Sequence, residues 1–252
     1  MLTNEIIQFW RSAQYVILPG KYMGAKYRYE YNAIFNFWQK QWADAFKEIK
    51  NHEPIDQTEF CRHEEVTGLF LNGQIIAVAL TDFLKTDCPV QSRHRNFENF
   101  SDSLLEQITE VSQSTPIRTV NYLAIDSRYR SNYYVADMVV GLTLLRTSEL
   151  KNAILIGHSR NTRKTNELGY RLGGIPLLQN VTVHGEPSDF MYFNTTSFEF
   201  IKNHIIYSEM KTLWENKIFH FSPHIEFYYK NNDPKQTQQK GKTNENNVTN
   251  SL

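Results

Sequence analysis

The sequence is poor in cysteine, with only Cys61 and Cys88 in 252 residues. Two cysteines do not form the disulfide framework on which small secreted domains depend. A secretory signal is also missing, because no basic segment followed by an apolar run opens the chain. These absences predict a protein of the reducing cytoplasm.

Neither sign of charge is in excess, because 27 Lys and Arg balance 27 Asp and Glu. Proteins that bind duplex nucleic acid usually carry a surplus of basic residues, so we expect no nucleic-acid partner and only a local anion site. No apolar run reaches the roughly 18 to 20 residues that a membrane-spanning helix needs, so no membrane span is expected. No pair of His or Cys residues has the spacing of metal ligands, so the sequence predicts no metal.

The stretch between residues 117 and 174 alternates strands, basic turns and helices. It predicts a strand at 119–125, an apolar helix at 133–150 and a short buried strand at 153–157. This order indicates two parallel strands joined by a right-handed crossover. Ligands of such units bind beyond the carboxyl ends of the strands. Those ends carry cations that suit an anionic ligand: Arg128, Arg130, Arg160, Arg163 and Lys164.

The strongest hairpin signal is Asn72-Gly73, which lies between β-rich runs at 66–71 and 74–83. Asn-Gly readily adopts the positive φ angles that a two-residue type I′ turn needs. Elsewhere the pattern predicts a loop at 184–189, helices at 4–18, 33–49, 98–112 and 197–214, and strands at 175–183, 190–193 and 225–229.

The order of elements predicts three parts of the chain. Aromatic-rich helices at residues 1–55 are expected to pack on a core domain at residues 56–230. The remaining residues, 231–252, are almost wholly polar. They lack the apolar surface that offsets ordering entropy, so we expect a disordered tail.

Three segments resemble the GNAT acyltransferase superfamily. The hairpin resembles its second and third strands, and Tyr122-Leu-Ala-Ile-Asp-Ser-Arg-Tyr-Arg130 resembles its donor-binding strand and pyrophosphate loop. Residues 161–175, which include Tyr170-Arg-Leu-Gly-Gly174, are similar to the helix after its fifth strand. The likeness covers residues 60–195. It implies an α/β fold in which a mixed sheet has a parallel strand pair in its centre and helices on its flanks.

The resemblance implies an enzyme, an N-acyltransferase that moves an acyl group from a thioester to a small-molecule amine by direct attack. The co-substrate would be acyl-CoA or the acyl-phosphopantetheine of an acyl carrier protein. Backbone N–H groups at residues 123–125 would polarise the thioester carbonyl. The arginines that follow would bind phosphate. The alternative is that these arginines form a solvated turn. The implied donor-binding residues are Leu123, Ala124, Ile125, Arg128, Arg130, Ser131, Asn132, Tyr133 and Asn161.

The resemblance also implies catalytic residues. Tyr170 occupies the place of the family tyrosine that protonates the leaving thiolate, although packing against the sheet explains a tyrosine there equally well. Glu64 and Glu65 precede the first hairpin strand, where family bases often lie. Because neighbouring residues of a strand point to opposite faces, at most one of the two faces the cleft. The alternative is that each is a surface charge. Asn161 bonds pantetheine or caps a helix. A lone histidine is usually structural or at the surface, which is our interpretation of His63, His158 and His184.

The pyrophosphate loop departs from the family pattern where small residues are usual. Aligned on Arg130, the two small positions are Tyr133 and Val135. Glycines there let backbone N–H groups close on phosphates at a helix N-terminus, and bulky residues crowd that approach. This loop, the inserted helix at 98–112 and the many aromatics are more similar to the branches that make acyl-homoserine lactones or N-acyl amino acids.

Two alternative functions remain open. Gly157-His-Ser159-Arg-Asn161 resembles the Gly-x-Ser-x-Gly nucleophile elbow, which predicts a serine esterase of the α/β-hydrolase type using Ser159. Asn161 replaces the final glycine of that motif. The other alternative is a non-catalytic, GNAT-like binding protein, which the bulky residues of the loop favour.

Overall fold

The computed structural model describes residues 2–48, 56–112, 116–149 and 153–220. The strands are β1 (Ala13–Pro19), β2 (Glu65–Leu71), β3 (Gln74–Leu84), β4 (Ile117–Ile125), β5 (Leu155–Arg160), β6 (Ile175–Val183), β7 (Glu186–Phe193) and β8 (Ile218–Phe219). The helices are α1 (Asn4–Arg11), α2 (Arg28–Glu48), α3 (Thr58–Arg62), α4 (Asp102–Ser112), α5 (Val135–Ser148), α6 (Thr165–Arg171), α7 (Thr195–Lys202) and α8 (Tyr207–Glu215). Short 3₁₀ turns lie at Gln91–Arg93, Arg95–Phe97 and Asn161–Arg163.

The described strands form one mixed sheet in the order β6-β7-β5-β4-β3-β2-β1-β8. The strands β4 and β5 are parallel and lie in its middle, and β1 pairs with β8 in parallel near one edge. The other neighbours are antiparallel. This arrangement confirms the predicted fold class, an α/β mixed sheet with a central parallel pair and flanking helices.

Helices cover both faces of the sheet and bury separate apolar clusters. On one face Met138 and Leu142 of α5 pack with Met210 of α8. On the other face Trp38 of α2 packs with Phe60 of α3. Because side chains alternate along a strand, a central strand with a continuous apolar run supplies both clusters.

Two tight turns set the hairpins of the sheet. Asn72 and Gly73 have φ angles of 49° and 77°, which fits the type I′ turn predicted from their sequence. His184 and Gly185 have φ angles of 51° and 83° and join β6 directly to β7. The predicted loop at 184–189 is therefore wrong, since β7 already begins at Glu186.

The helix predicted at residues 4–18 is also wrong beyond Arg11. Helix α1 ends there, and the backbone N–H of Ser12 caps it on the carbonyl of Phe9. The next residues form β1, which pairs along its whole length with β2. Tyr15 and its three apolar successors are buried, because this strand lies inside the sheet. Pairing with a partner far along the chain outweighs the local helical spacing.

Several other boundaries differ from the sequence-based expectation. The helix predicted at 197–214 is two helices, α7 and α8. The strand predicted at 153–157 begins later and runs through Arg160, because β7 pairs with it to that point. The predicted strand at 225–229 and the predicted polar tail at 231–252 lie outside the described residues.

Candidate active site

The central parallel strands separate partway along their length. Their pairing ends where Val120 of β4 lies opposite Gly157 of β5. Beyond that point β4 continues along β3, and β5 continues along β7. A β-bulge lies at the start of the separation, because Tyr122 and Leu123 occupy the space opposite one residue of β3. Tyr122 has a φ of 50°, and such a bulge bends its strand and leaves backbone groups unpaired.

A cavity of about 1110 Å³ occupies this gap. Val120 and Leu123 line it and belong to the cluster on the α5 face, whereas Tyr122 and Ala124 belong to the cluster on the α2 face. The cavity therefore crosses the sheet. The helices contribute a further part of its apolar wall: Trp42, Ala45, Ala136, Val140, Leu168 and Gly169.

Most of the predicted cations meet at this cavity. Arg130, Arg160, Arg163 and Lys164 line it, together with Arg171, which the sequence did not single out. Arg130 is oriented by its Nε, which donates to the carbonyl oxygen of Ile125 at 3.0 Å. Ion pairs occupy part of this charge, because Arg160 lies 3.2 Å from Glu186 and Arg171 lies 2.7 Å from Asp137. The local anion site that the sequence predicted here stays a prediction.

Arg128 does not join this cluster. Its Nε and Nη2 donate to the two carboxylate oxygens of Asp126 at 3.1 and 2.8 Å, and it does not line the cavity. The hydrogen bond from Arg128 lowers the pKa of Asp126. Arg128 therefore matches the alternative reading of a solvated turn with a surface salt bridge.

The loop before α5 accommodates its two bulky residues in an unusual backbone conformation. Tyr133 and Tyr134 have φ angles of 56° and 58°, in the region that glycine adopts most readily. The ring of Tyr133 stacks on Phe9 with centroids 4.2 Å apart and planes 3° apart. Its hydroxyl donates to Glu5 at 2.7 Å. The ring thus packs on α1, and Tyr133 still lines the cavity together with Ser131, Asn132 and Tyr134.

Tyr170 and Asn161 meet at a buried carboxylate instead of the cavity. The Tyr170 hydroxyl and the Asn161 amide donate to Asp189 at 2.7 and 2.8 Å. Asn166 and the backbone N–H of Asn180 donate to the same carboxylate. Burial acts to raise the pKa of Asp189, but these four hydrogen bonds lower it to about 2. Burial and the hydrogen bond to Asp189 raise the pKa of Tyr170.

The predicted carboxylate bases also lie away from the cavity. Glu65 is fully buried, 3.1 Å from Arg118 and 2.6 Å from Arg146, neither of which is exposed. The backbone N–H of Glu64 donates to Asp82 at 3.2 Å. Neither glutamate lines the cavity, so their role as a base, which allowed at most one of them to face the cleft, has no support from their placement. Glu65 is not a surface charge either, because it is fully buried.

His158 lines the cavity, although the sequence suggested only a structural or surface residue. Burial, then His184, Arg95 and Arg160, lower its pKa to about 4. The signal that would have found it is strand register. If β5 is extended to Arg160, alternation places His158 on the face opposite α5.

The structure does not contain the nucleophile elbow that the sequence suggested. An elbow holds its serine on a strained turn between a strand and a helix. Ser159 instead lies within β5, in register with Asp189 of β7, and its φ is not positive. The serine esterase alternative therefore loses the geometry on which it depended.

Two further properties concern the described residues alone. In residues 2–48, 56–112, 116–149 and 153–220, no three His, Cys, Asp or Glu side chains come close enough to hold a metal ion. Across the same ranges, no helix has both the length and the apolar character to cross a membrane.

A scan against protein-family models and a search of curated proteins found no match. The solved structure of Drosophila melanogaster polyamine N-acetyltransferase is similar, with 12% identity and a TM-score of 0.51 over 72% of this chain and 99% of that chain. FeeM, an N-acyl amino acid synthase from uncultured soil microbes, gives 11% identity and a TM-score of 0.49 over 79% and 98%. The AHL synthase LasI gives 14% identity and a TM-score of 0.46 over 72% of this chain and 88% of that chain.

The likeness to the Drosophila melanogaster structure, at 12% identity and a TM-score of 0.51, concerns the fold alone. That fold is a mixed sheet in which two central parallel strands separate. The chain has the GNAT fold that its sequence suggested.

Proposed function

We propose that the protein is an N-acyltransferase that moves an acyl group from an acyl thioester to an amine by direct attack. The observation that carries this proposal is the separation of β4 and β5 beyond Val120 and Gly157. The resulting cavity crosses the sheet, so a donor and an acceptor can enter from opposite faces and meet at the gap. Holding both reactants in one place supplies much of the rate enhancement in such reactions.

The donor end of the cavity suits a phosphate on a flexible arm. Arg130, whose Nε donates to Ile125 and whose Nη2 donates to Gln41, lines the cavity together with Ser131 and Asn132, and α5 begins at Val135. Guanidinium groups and helix N-termini both bind phosphate oxygens well. The apolar walls from Val120 and Leu168 suit a pantetheine arm, which CoA and acyl carrier protein share. The proposal therefore covers both carriers.

The bulge in β4 suits activation of the thioester. Backbone N–H groups at Leu123 and its neighbours lie where the strands part, and an N–H aimed at the carbonyl oxygen stabilises the charge that develops there. The amine nitrogen then bonds to the carbonyl carbon, the C–S bond breaks, and the carrier leaves as a thiol. The products are an amide and a free thiol.

The test measures thiol release and donor binding with acyl-CoA and acyl carrier protein thioesters in the presence of amines. Arg130→Ala is expected to weaken donor binding by about ten- to hundredfold, because a hydrogen bond to a charged group contributes about 1.5–3 kcal/mol. Arg128→Ala is the matched comparison, since it removes a guanidinium from the same turn but outside the cavity. The dissociation constant of the donor from Arg128→Ala is expected to differ from that of wild type by less than about threefold.

The alternatives give different results in the same assay. Donor binding without thiol release would indicate a non-catalytic binding protein. Ester hydrolysis that Ser159→Ala abolishes would indicate a hydrolase. Equal binding by wild type, Arg130→Ala and Arg128→Ala would contradict the acyltransferase proposal.

A further inference from the structure

His158 stands at the point where the central strands part. It is the first residue of β5 after Gly157, which makes the last pair with β4. Ile156 packs in a cluster that excludes α5, so alternation along the strand places His158 on that same face, away from α5. Its ring lies 5.3 Å from that of Phe190 and lines the cavity.

The imidazole is available to a substrate. Within the part of the chain that the structure describes, no hydrogen bond occupies either ring nitrogen of His158. Burial is the main cause of its lowered pKa, about 4, and the nearby groups His184, Arg95 and Arg160 add to it. The ring is therefore neutral at pH 7 and keeps a lone pair. An anionic donor bound by the cavity cations would offset their repulsion of the imidazolium and raise this pKa.

The other charged side chains that line the cavity are paired or cationic. The carboxylate of Asp137 is held by Arg171 at 2.7 Å and by His204 at 3.2 Å. Tyr170, the acid that the resemblance implied, donates to Asp189 and lies outside the cavity. Of the described residues that line the cavity, only His158 has a side chain whose ordinary pKa lies near neutrality.

We propose that His158 takes a proton from the attacking amine and delivers it to the departing sulfur. This inference rests on the proposed acyl transfer and names the residue that moves its proton. One imidazole, at the point where β4 and β5 separate, then both removes the proton from the amine and delivers it to the sulfur.

The step balances without any further reactant. The amine nitrogen bonds to the thioester carbon, and the carbonyl electron pair moves to oxygen. A ring nitrogen of His158 then takes one proton from the positively charged nitrogen of this adduct, which is a stronger acid than a free ammonium. As the electron pair re-forms the carbonyl, the C–S bond breaks and its electrons leave with sulfur. The imidazolium returns the proton to the thiolate, and His158 ends neutral.

The test replaces the imidazole and then supplies it from solution. His158→Gln keeps a polar side chain but cannot carry the proton, so kcat is expected to fall by about a hundredfold or more. The donor dissociation constant should stay within about threefold of that of wild type. In His158→Ala, added imidazole should restore thiol release in proportion to its neutral form. His220→Gln, at the β8 edge of the sheet, provides the same chemical change far from the cavity and should keep full activity.

Each outcome decides the matter. Circular dichroism and donor binding first establish that the variants are folded; if His158→Gln does not fold, His158→Asn and the imidazole titration of His158→Ala replace it. A folded His158→Gln with kcat within threefold of wild type overturns the role of His158 alone. Loss of activity that imidazole does not restore, with donor binding intact, also overturns it. Absence of thiol release by wild type overturns the acyltransferase proposal itself and His158 with it.

Discussion

Arg118 and Glu65 form an ion pair with no exposure to solvent, in which Nη2 of Arg118 lies 3.1 Å from Oε2 of Glu65. A second buried guanidinium, that of Arg146 on α5, lies 2.6 Å from the other carboxylate oxygen. Arg118 also donates to Thr81 of β3 and to the carbonyl of Thr143 on α5. The single carboxylate therefore joins β2, β4 and α5 at the base of the parted strands.

Removal of this carboxylate is expected to destabilise the whole fold. Glu65→Gln removes the carboxylate shared by two buried guanidinium groups, of which Arg146 also pairs with Glu149, and breaking a buried pair in this way costs about 3–5 kcal/mol. Urea unfolding of wild type and variant measures the change. Glu215→Gln is the matched control, because Glu215 pairs with Lys211 at the surface with both side chains 61% exposed. That change is expected to stay within about 0.5 kcal/mol, and equal losses in the two variants would contradict the interpretation.

The carboxylate of Asp189 is expected to give the fold a dependence on acid pH. Its pKa is about 2 in the folded protein and is normally 3.8, so it binds fewer protons when folded. Its contribution is complete above the unfolded value and is lost as pH falls from about 4 to about 2. At pH 7, Asp189→Asn should lower stability by about 1–3 kcal/mol, because buried donors lose their acceptor.

The measurement compares the unfolding free energies of wild type and Asp189→Asn between pH 7 and pH 2. The difference in unfolding free energy between wild type and Asp189→Asn should become smaller as pH falls from about 4 to about 2. Tyr170→Phe removes one of the four donors and should cost less than Asp189→Asn at pH 7. A difference in unfolding free energy that does not change with pH would show that the charge of Asp189 does not contribute to stability.

The features that the sequence predicted correctly are determined by neighbouring residues. Asn72-Gly73 specifies its turn through backbone preferences alone, and the hairpin follows from it. The parallel pair follows from the order of strand, helix and strand, which restricts the connection to one hand. Arg130 lies in the turn between β4 and α5, as the sequence predicted, and it lines the cavity, whereas its part in donor binding stays a prediction.

The features that the sequence did not predict depend on distant partners. Glu65 is a plausible base in the sequence, but in the structure Arg118 and Arg146, which are 53 and 81 residues away, donate hydrogen bonds to its carboxylate. Tyr170 was predicted as the acid, but its hydroxyl donates a hydrogen bond to Asp189, 19 residues further on. His158 was interpreted as structural or at the surface, because only pairing with β7 extends β5 to include it. In each case a contact between elements decides what a residue of ordinary type can do.

The stacking of Tyr133 on Phe9 is expected to keep the donor loop open. Without this contact the ring would be free to turn into the cavity, which Tyr133 lines together with Ser131 and Asn132. Phe9→Ala should therefore weaken donor binding and also lower stability by about 1–3 kcal/mol, because an aromatic pair and its apolar contacts are lost. Phe9→Tyr keeps the ring and should leave both quantities near those of wild type. Titration with a thioester donor and thermal unfolding measure the two effects. If Phe9→Ala loses stability but binds the donor as tightly as Phe9→Tyr does, the stacking serves only to dock α1.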